Sequence, residues 1–234
     1  MKFTRNNFFF LAAITITFFA RQVRAQDAAA TTNDVPTLKE LMATNSVVTN
    51  TVGIVLVKIS PGLWASKFET TQDAYRQIMH ANPSAFKGAE RPVDSVSWND
   101  AMTFCQKLTA KEKTADELPD GFSYSLPTES QWENLVANAS LKDAVMKLND
   151  ANISSTAAVG SLAPNSLGLY DLRGNVMEWC LDSHDPSYHV LRGGGWDTLD
   201  EPSSRLVFRW FAKPEDKLQN DFGFRIILQS NDAK

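Results

Sequence analysis

The sequence predicts an α+β domain, rich in loops, with short mixed strands and about three helices. Three observations carry that prediction. An apolar, β-branched stretch at 51–59 and a second at 63–69 flank Pro61-Gly62 and read as an early hairpin. Three amphipathic segments, each opened by Ser or Thr, then follow one another without strands alternating between them, which argues against a βαβ succession. Beyond about residue 149 the apolar runs are short and broken by glycines and tryptophans, until 222–228 closes the domain as a buried strand.

Taken in order, the N-terminus carries Lys2 and Arg5, an apolar run at 8–20 and then Val23-Arg24-Ala25. This is the n-, h- and c-region order of a secretory signal peptide over 1–25. The alternative, a membrane anchor, needs about 20 apolar residues, more than this run offers. Cleavage after Ala25 implies a secreted, periplasmic or cell-envelope protein with no transmembrane helix left. Residues 26–50, rich in Ala, Thr and Asn, read as a flexible spacer with room for a short helix at 38–43, and the folded domain is expected over 51–230.

The first main helix is expected to open at Thr70, with Asp73 completing a capping box, and to run to His80 before Asn82-Pro83 stops it. Ser97 and Asp100 form the box of the second, whose Ala101, Phe104, Cys105 and Leu108 recur at helical spacing and define a core face. A charged connector leads to an extended piece at 122–126. Thr128 and Gln131 cap the third helix, with Trp132, Leu135, Val136 and Ala139 on one face. The long irregular region 149–185 is of the kind that is functional or held by an ion.

Loss of Lys2, Arg5, Arg21 and Arg24 with the signal leaves 19 basic against 27 acidic residues, a net charge of about −8, which makes nucleic acid a poor partner. Cys105 and Cys180 permit one disulfide or two buried thiols, and the sequence leaves both open. None of the three histidines, His80, His184 and His189, has the spacing of a helical metal site, which disfavours a histidine-based metalloenzyme.

The densest chemistry lies in 168–180 and 191–197. Asp171, Gly174 and Glu178 fall where a turn enters a strand, so carboxylates and carbonyls can converge on a hard cation. Their alternative role is as surface acids or ion-pair partners of Arg173 and Arg192. Arg192, Arg205, Arg209 and Arg225 supply planar forks suited to tying acidic loops into the sheet. Trp98, Trp132, Trp179 and Trp196 are expected in the core, Asn175 in a local turn, and Asp182, His184, Asp185 and His189 in a solvated loop.

The chain resembles the formylglycine-generating enzyme family, also called sulfatase-modifying factors. The resemblance is carried by Lys67-Phe68-Glu69-Thr70-Thr71-Gln72, Asn82-Pro83-Ser84, Arg91-Pro92-Val93, Val96-Ser97-Trp98-Asn99-Asp100-Ala101, Leu126-Pro127-Thr128-Glu129-Ser130-Gln131-Trp132-Glu133, Gly168-Leu169-Tyr170-Asp171, Gly174-Asn175-Val176-Met177-Glu178-Trp179, Leu191-Arg192-Gly193-Gly194-Gly195-Trp196 and Gly223-Phe224-Arg225. It implies a C-type-lectin-like fold over roughly 52–228. Members of the family oxidise a sulfatase cysteine to formylglycine with copper(I) held by two cysteines. Thr198 and Ser203 stand at those positions here, and hydroxyls are poor ligands for so soft an ion, so copper is not expected.

The resemblance also implies calcium. Only Asn152 and the backbone of Ile153 match the first family site. At the second, Asp171, Glu178 and the carbonyls of Gly174 and Val176 match, so one structural calcium ion is expected there. The resulting expectation is an exported, non-oxidase binding or accessory module, a pseudoenzyme, whose ligand is a peptide, protein or glycan. Its cleft is expected to be floored by Trp196 and rimmed by Arg205 and Arg209. The alternative is a formylglycine-generating oxidase acting on a sulfatase cysteine through a divergent site.

Overall fold

Thr37 draws the chain into the fold earlier than expected. Its hydroxyl and the Glu40 carboxylate form a reciprocal capping box that opens α1 (Leu38–Thr44), and β1 (Val47–Thr49) then pairs antiparallel with β2 (Val55–Ser60). The folded part therefore begins before residue 51, because Leu38, Met42 and Val48 have apolar surface to bury and a sheet edge to bury it against. The computed structural model describes residues 35–217 and 219–231, and the expected signal segment at 1–25 lies outside them. Among the described residues no helix is long and apolar enough to cross a membrane.

The predicted hairpin is β2 with β3 (Leu63–Ser66). The helix α2 (Gln72–Met79) starts one residue late, with Thr71 rather than Thr70 as its cap. Thr70 is buried and its amide is given to the carbonyl of Phe224, while Asp73 turns to Arg76 instead of closing a box. By contrast, α3 (Trp98–Thr114) and α4 (Glu129–Val136) carry the expected boxes at Ser97/Asp100 and Thr128/Gln131. Between them lies β4 (Phe122–Ser125).

The later strands are β5 (Met177–Asp185), β6 (Tyr188–Arg192), β7 (Trp210–Ala212), β8 (Phe222–Gly223) and β9 (Ile227–Ser230), with a single short helix, α5 (Glu201–Ser204), in the loop before β7. They complete a five-stranded antiparallel sheet in the order β1-β2-β3-β9-β4 and a four-stranded sheet in the order β7-β6-β5-β8. Among the described strands, only β5 and β8 run parallel. The single closing strand expected at 222–228 is thus divided between two sheets. Every residue of that stretch is buried, so both of its faces are covered, and Arg225 turns inward at the crossing.

One core lies under α2 and α3, where Tyr75 stacks on Phe104 at 5.8 Å and Phe104 meets the edge of Phe224 at 5.4 Å. A second, under α4, joins Trp132, Leu135 and Val136 to Ala65, Cys180 and Ile227. Removing these side chains from water is the dominant favourable term, about 1.5–3 kcal/mol for each large one.

Candidate functional site

The 168–180 segment delivers a buried charge knot. Glu178, on β5, is 1% exposed, and Arg225 bonds it through Nε at 2.8 and 2.9 Å and pairs with it again through Nη2 at 2.7 Å. Trp132 donates to the same carboxylate at 2.7 Å. Arg225 also donates to the carbonyls of Ser66 and Tyr170, and so pins β3 and the 170 loop to β5. Burial opposes its charge, but Glu178 outweighs that and the guanidinium is held above its usual range.

Glu69 accepts from the Val176 amide at 3.0 Å and the Asn175 side chain at 2.6 Å, and Asp171 accepts from the Gly160 amide at 2.6 Å. Burial raises both carboxyls, and for Glu69 the neighbouring Asp171 and Glu178 raise it further. Asn175, with φ of 61°, does more than close a local turn, since its Oδ1 also takes the Ala157 amide. Gly174 is required beside it, because its φ is +80° and a Cβ would lie 2.6 Å from the Val145 carbonyl oxygen.

These contacts decide how the expected calcium ligands fit. Glu178 already faces a buried guanidinium, and Asp171 is committed to an amide, so an ion bound by Glu178 would have to displace Arg225. A divalent cation against that guanidinium does not fit. At the weaker family position, the amide and side chain of Asn152 both bond Asp150 at 2.9 Å in a self-contained turn. Among the described residues no group of three or more His, Cys, Asp or Glu is placed to hold a metal. His184 and His189 sit on the β5–β6 hairpin, against Phe211 at 4.1 Å and Trp98 at 3.8 Å.

The arginines tie down acids, though on a helix and a strand rather than in loops. Arg192, fully buried over the Trp132 ring at 4.9 Å, bonds Glu133 at 3.0 Å and also Glu129 and the Leu206 carbonyl. Arg209 pairs with the same two acids of α4. Both are therefore clamps between α4 and the β6–β7 region.

The Gly193–Ser203 loop builds a different environment. The Thr198 hydroxyl accepts from the Gly195 amide at 3.0 Å, and the Thr198 amide returns to the Gly195 carbonyl at 3.2 Å, closing a tight turn. Asp200 caps α5 by accepting from the Ser203 amide at 2.8 Å. A cavity of about 280 Å³ opens between this loop and the β8 strand. Its apolar wall includes Met177, Phe208, Trp210 and Phe222. Its polar wall holds Thr198 and Ser203 together with Asp197, Asp200 and Asp221.

Trp196, Arg205 and Arg209 do not line this cavity. Trp196 is turned toward Phe86, edge-on at 5.2 Å, with Lys147 over its ring at 4.8 Å and its indole N–H on the Asn220 carbonyl. The cleft is consequently acidic where a cationic rim was expected. Asp221, 7% exposed, shares a side-chain hydrogen bond with exposed Asp197. Burial first, then Asp197 and Asp94, push its carboxyl up to about 7. Gly195 makes room for it, since a Cβ there would lie 2.7 Å from an Asp221 oxygen. Sequence reading passed over Asp221. Its signal was an acid set directly before the apolar run that starts at Phe222.

Cys105 and Cys180 are free thiols, each fully buried, the first on α3 and the second on β5. Burial raises both.

With this geometry in hand, residues 9–230 match the family described as sulfatase-modifying factor enzyme 1-like domain. Similar curated proteins include the chaperone protein LppX of Paenibacillus barcinonensis, 28% identical over 57% of this chain and 69% of that protein. The inactive C-alpha-formylglycine-generating enzyme 2 of Mus musculus is 31% identical over 62% of this chain, which spans about half, 51%, of its length. Among solved structures, Treponema denticola variable protein 1 aligns with a TM-score of 0.63 at 24% identity over 79% of this chain and 91% of that one. PvdO from Pseudomonas aeruginosa aligns with a TM-score of 0.59 at 21% identity, covering 71% and 80%. These structures share the C-type-lectin-like fold expected from the sequence, and their likeness speaks to the fold alone.

Proposed function

Since the chain belongs to the sulfatase-modifying factor family, we propose that it is a binding module of that family without oxidase chemistry, and that the Gly193–Ser203 cleft holds a segment of another protein. One observation carries this reading: its only two cysteines are buried thiols on separate elements and in separate cores. A copper(I) centre of the family's kind needs two thiolates at a surface where dioxygen and a substrate thiol can meet. Thr198 and Ser203, which do line the cleft, offer hydroxyls only. Relatives named as a chaperone and as an inactive enzyme are in keeping with such a role. The basic and apolar N-terminus supports export, and N-terminal sequencing of the mature protein should start near Gln26.

The decisive experiment incubates the purified protein with copper(I), oxygen and a cysteine-containing sulfatase peptide, read by mass spectrometry. The expected result is no copper(I) binding and no loss of the thiol. Copper-dependent conversion of the peptide cysteine would restore the oxidase reading.

A further inference from the structure

The cleft gathers three acids, Asp197, Asp200 and Asp221, on the wall of one cavity, and one of them is buried. Asp221 is more than nine-tenths buried, lines the cavity, and pairs with no lysine or arginine among the described residues. The side-chain hydrogen bond it makes goes to a second acid, Asp197, and Asp200 lines the same wall. A buried carboxylate without a counter-ion is costly to the fold, and a cation arriving from outside offsets that cost.

The segment that carries Leu199, Phe208 and Trp210 to the cavity wall is rich in exposed apolar side chains. Of the nine large hydrophobic side chains exposed among the described residues, five fall between 199 and 211: Leu199, Leu206, Val207, Trp210 and Phe211. Such concentration of apolar side chains marks an interaction surface. In addition, β7, which carries Trp210 and Phe211, is the outer strand of its sheet.

We propose that the cleft takes a basic side chain, a lysine or an arginine, presented by an extended apolar segment of a partner protein. Its charged head sits against Asp197 and Asp221, and its aliphatic stem and apolar neighbours lie along Phe222, Phe208 and Trp210. The charge of the wall selects a cation over an anion or a neutral sugar. At about 280 Å³ the cavity has room for one long side chain rather than for a folded domain. The stem of lysine or arginine is itself apolar, which matches a pocket with one greasy and one acidic wall.

This inference rests on the binding-module reading and is tested apart from it. A randomised peptide library displayed on phage is selected against the purified protein and, in parallel, against Asp221→Asn and Asp197→Asn. Lysine or arginine flanked by apolar residues should be enriched on the wild-type protein. The best peptide, made synthetically, should bind Asp221→Asn about tenfold or more weakly, and replacing its basic residue by norleucine should cost a similar factor. Asn keeps the size of Asp, and melting curves confirm that each variant is folded. Should Asp221→Asn not fold, the exposed Asp197→Asn carries the test, with the same direction expected. No enrichment, enrichment of acidic or purely apolar peptides, or equal affinity for wild type and variants would overturn the proposal. None of these outcomes bears on copper, whose assay decides the non-oxidase reading independently.

Discussion

Two of the places where the protein buries carboxylates treat them in opposite ways. Beneath the 170 loop, Glu178 is surrounded by donors: two guanidinium nitrogens of Arg225 and the indole of Trp132, all within 2.9 Å. In the cleft, Asp221 is nearly as deeply placed, yet its side-chain partner is another acid. The first region joins β3, β5 and the 170 loop through one arginine and is scaffold. The second sets its acid against another acid on the wall of a cavity, with no lysine or arginine paired to it among the described residues. Burial alone does not mark a site in this molecule: Glu112 is just as deeply placed and is satisfied by Thr51 and Tyr124, whereas Asp221 faces a second acid on a cavity wall.

The largest expected effect breaks the first region. Arg225→Met would leave Glu178 buried beside Glu69 and Asp171 with no cation, at a cost of about 3–5 kcal/mol. A urea midpoint lowered accordingly is the expected result, and an unchanged midpoint would remove the knot from the list of what holds the sheets together. A second, smaller effect sharpens the contrast through pH. The Asp221 carboxyl is raised in the folded protein from an ordinary 3.8 to about 7, chiefly by burial. Below the lower value it is protonated in both states. As pH rises toward the upper value the unfolded chain releases the proton and the folded one retains it, so stability falls. The full penalty is present only above about 7. Asp221→Asn should therefore be more stable than wild type by a few kcal/mol at pH 8, on the order expected for such a shift, and about equal to it near pH 3. Equal stabilities at pH 8 would mean that the carboxyl carries no such burden.

The smallest expected effect concerns calcium. With Glu178 held by Arg225, neither added calcium nor a chelator should move the melting curve. A calcium-dependent rise that disappears in Glu178→Ala would show that the ion displaces the guanidinium.

Much of the fold was legible because its signals are local. The boxes at Ser97/Asp100 and Thr128/Gln131, and the apolar spacing of Ala101, Phe104, Cys105 and Leu108, depend on neighbours three and four residues away. What escaped depends on distant partners. Thr70 lost its capping role to a backbone bond with Phe224, and the expected strand at 222–228 divided because Arg225 must reach Glu178. The site was half legible. The loop 193–203 could be singled out from its glycines, and Thr198 and Ser203 do line the cavity. The direction of Trp196, and whether Arg209 faces the cleft or α4, are set by packing against Phe86 and Glu129, which no spacing encodes. Asp221 acquires its meaning only when Asp197 is brought against it.

The division of 222–230 between the two sheets bears on the order in which the protein can be made. Strand β9 sits between β3 and β4, and β8 completes the other sheet beside β5. The Ile226 amide reaches back 160 residues to the Ser66 hydroxyl. A ribosome delivers both strands after every other element of the domain, so the early hairpin waits through nearly the whole of synthesis with its β3 edge unpaired. Contacts so distant in sequence make for slow folding, and an open strand edge invites pairing with the wrong partner. A truncation ahead of Phe222 would therefore yield two unfinished sheets rather than a smaller version of the same domain.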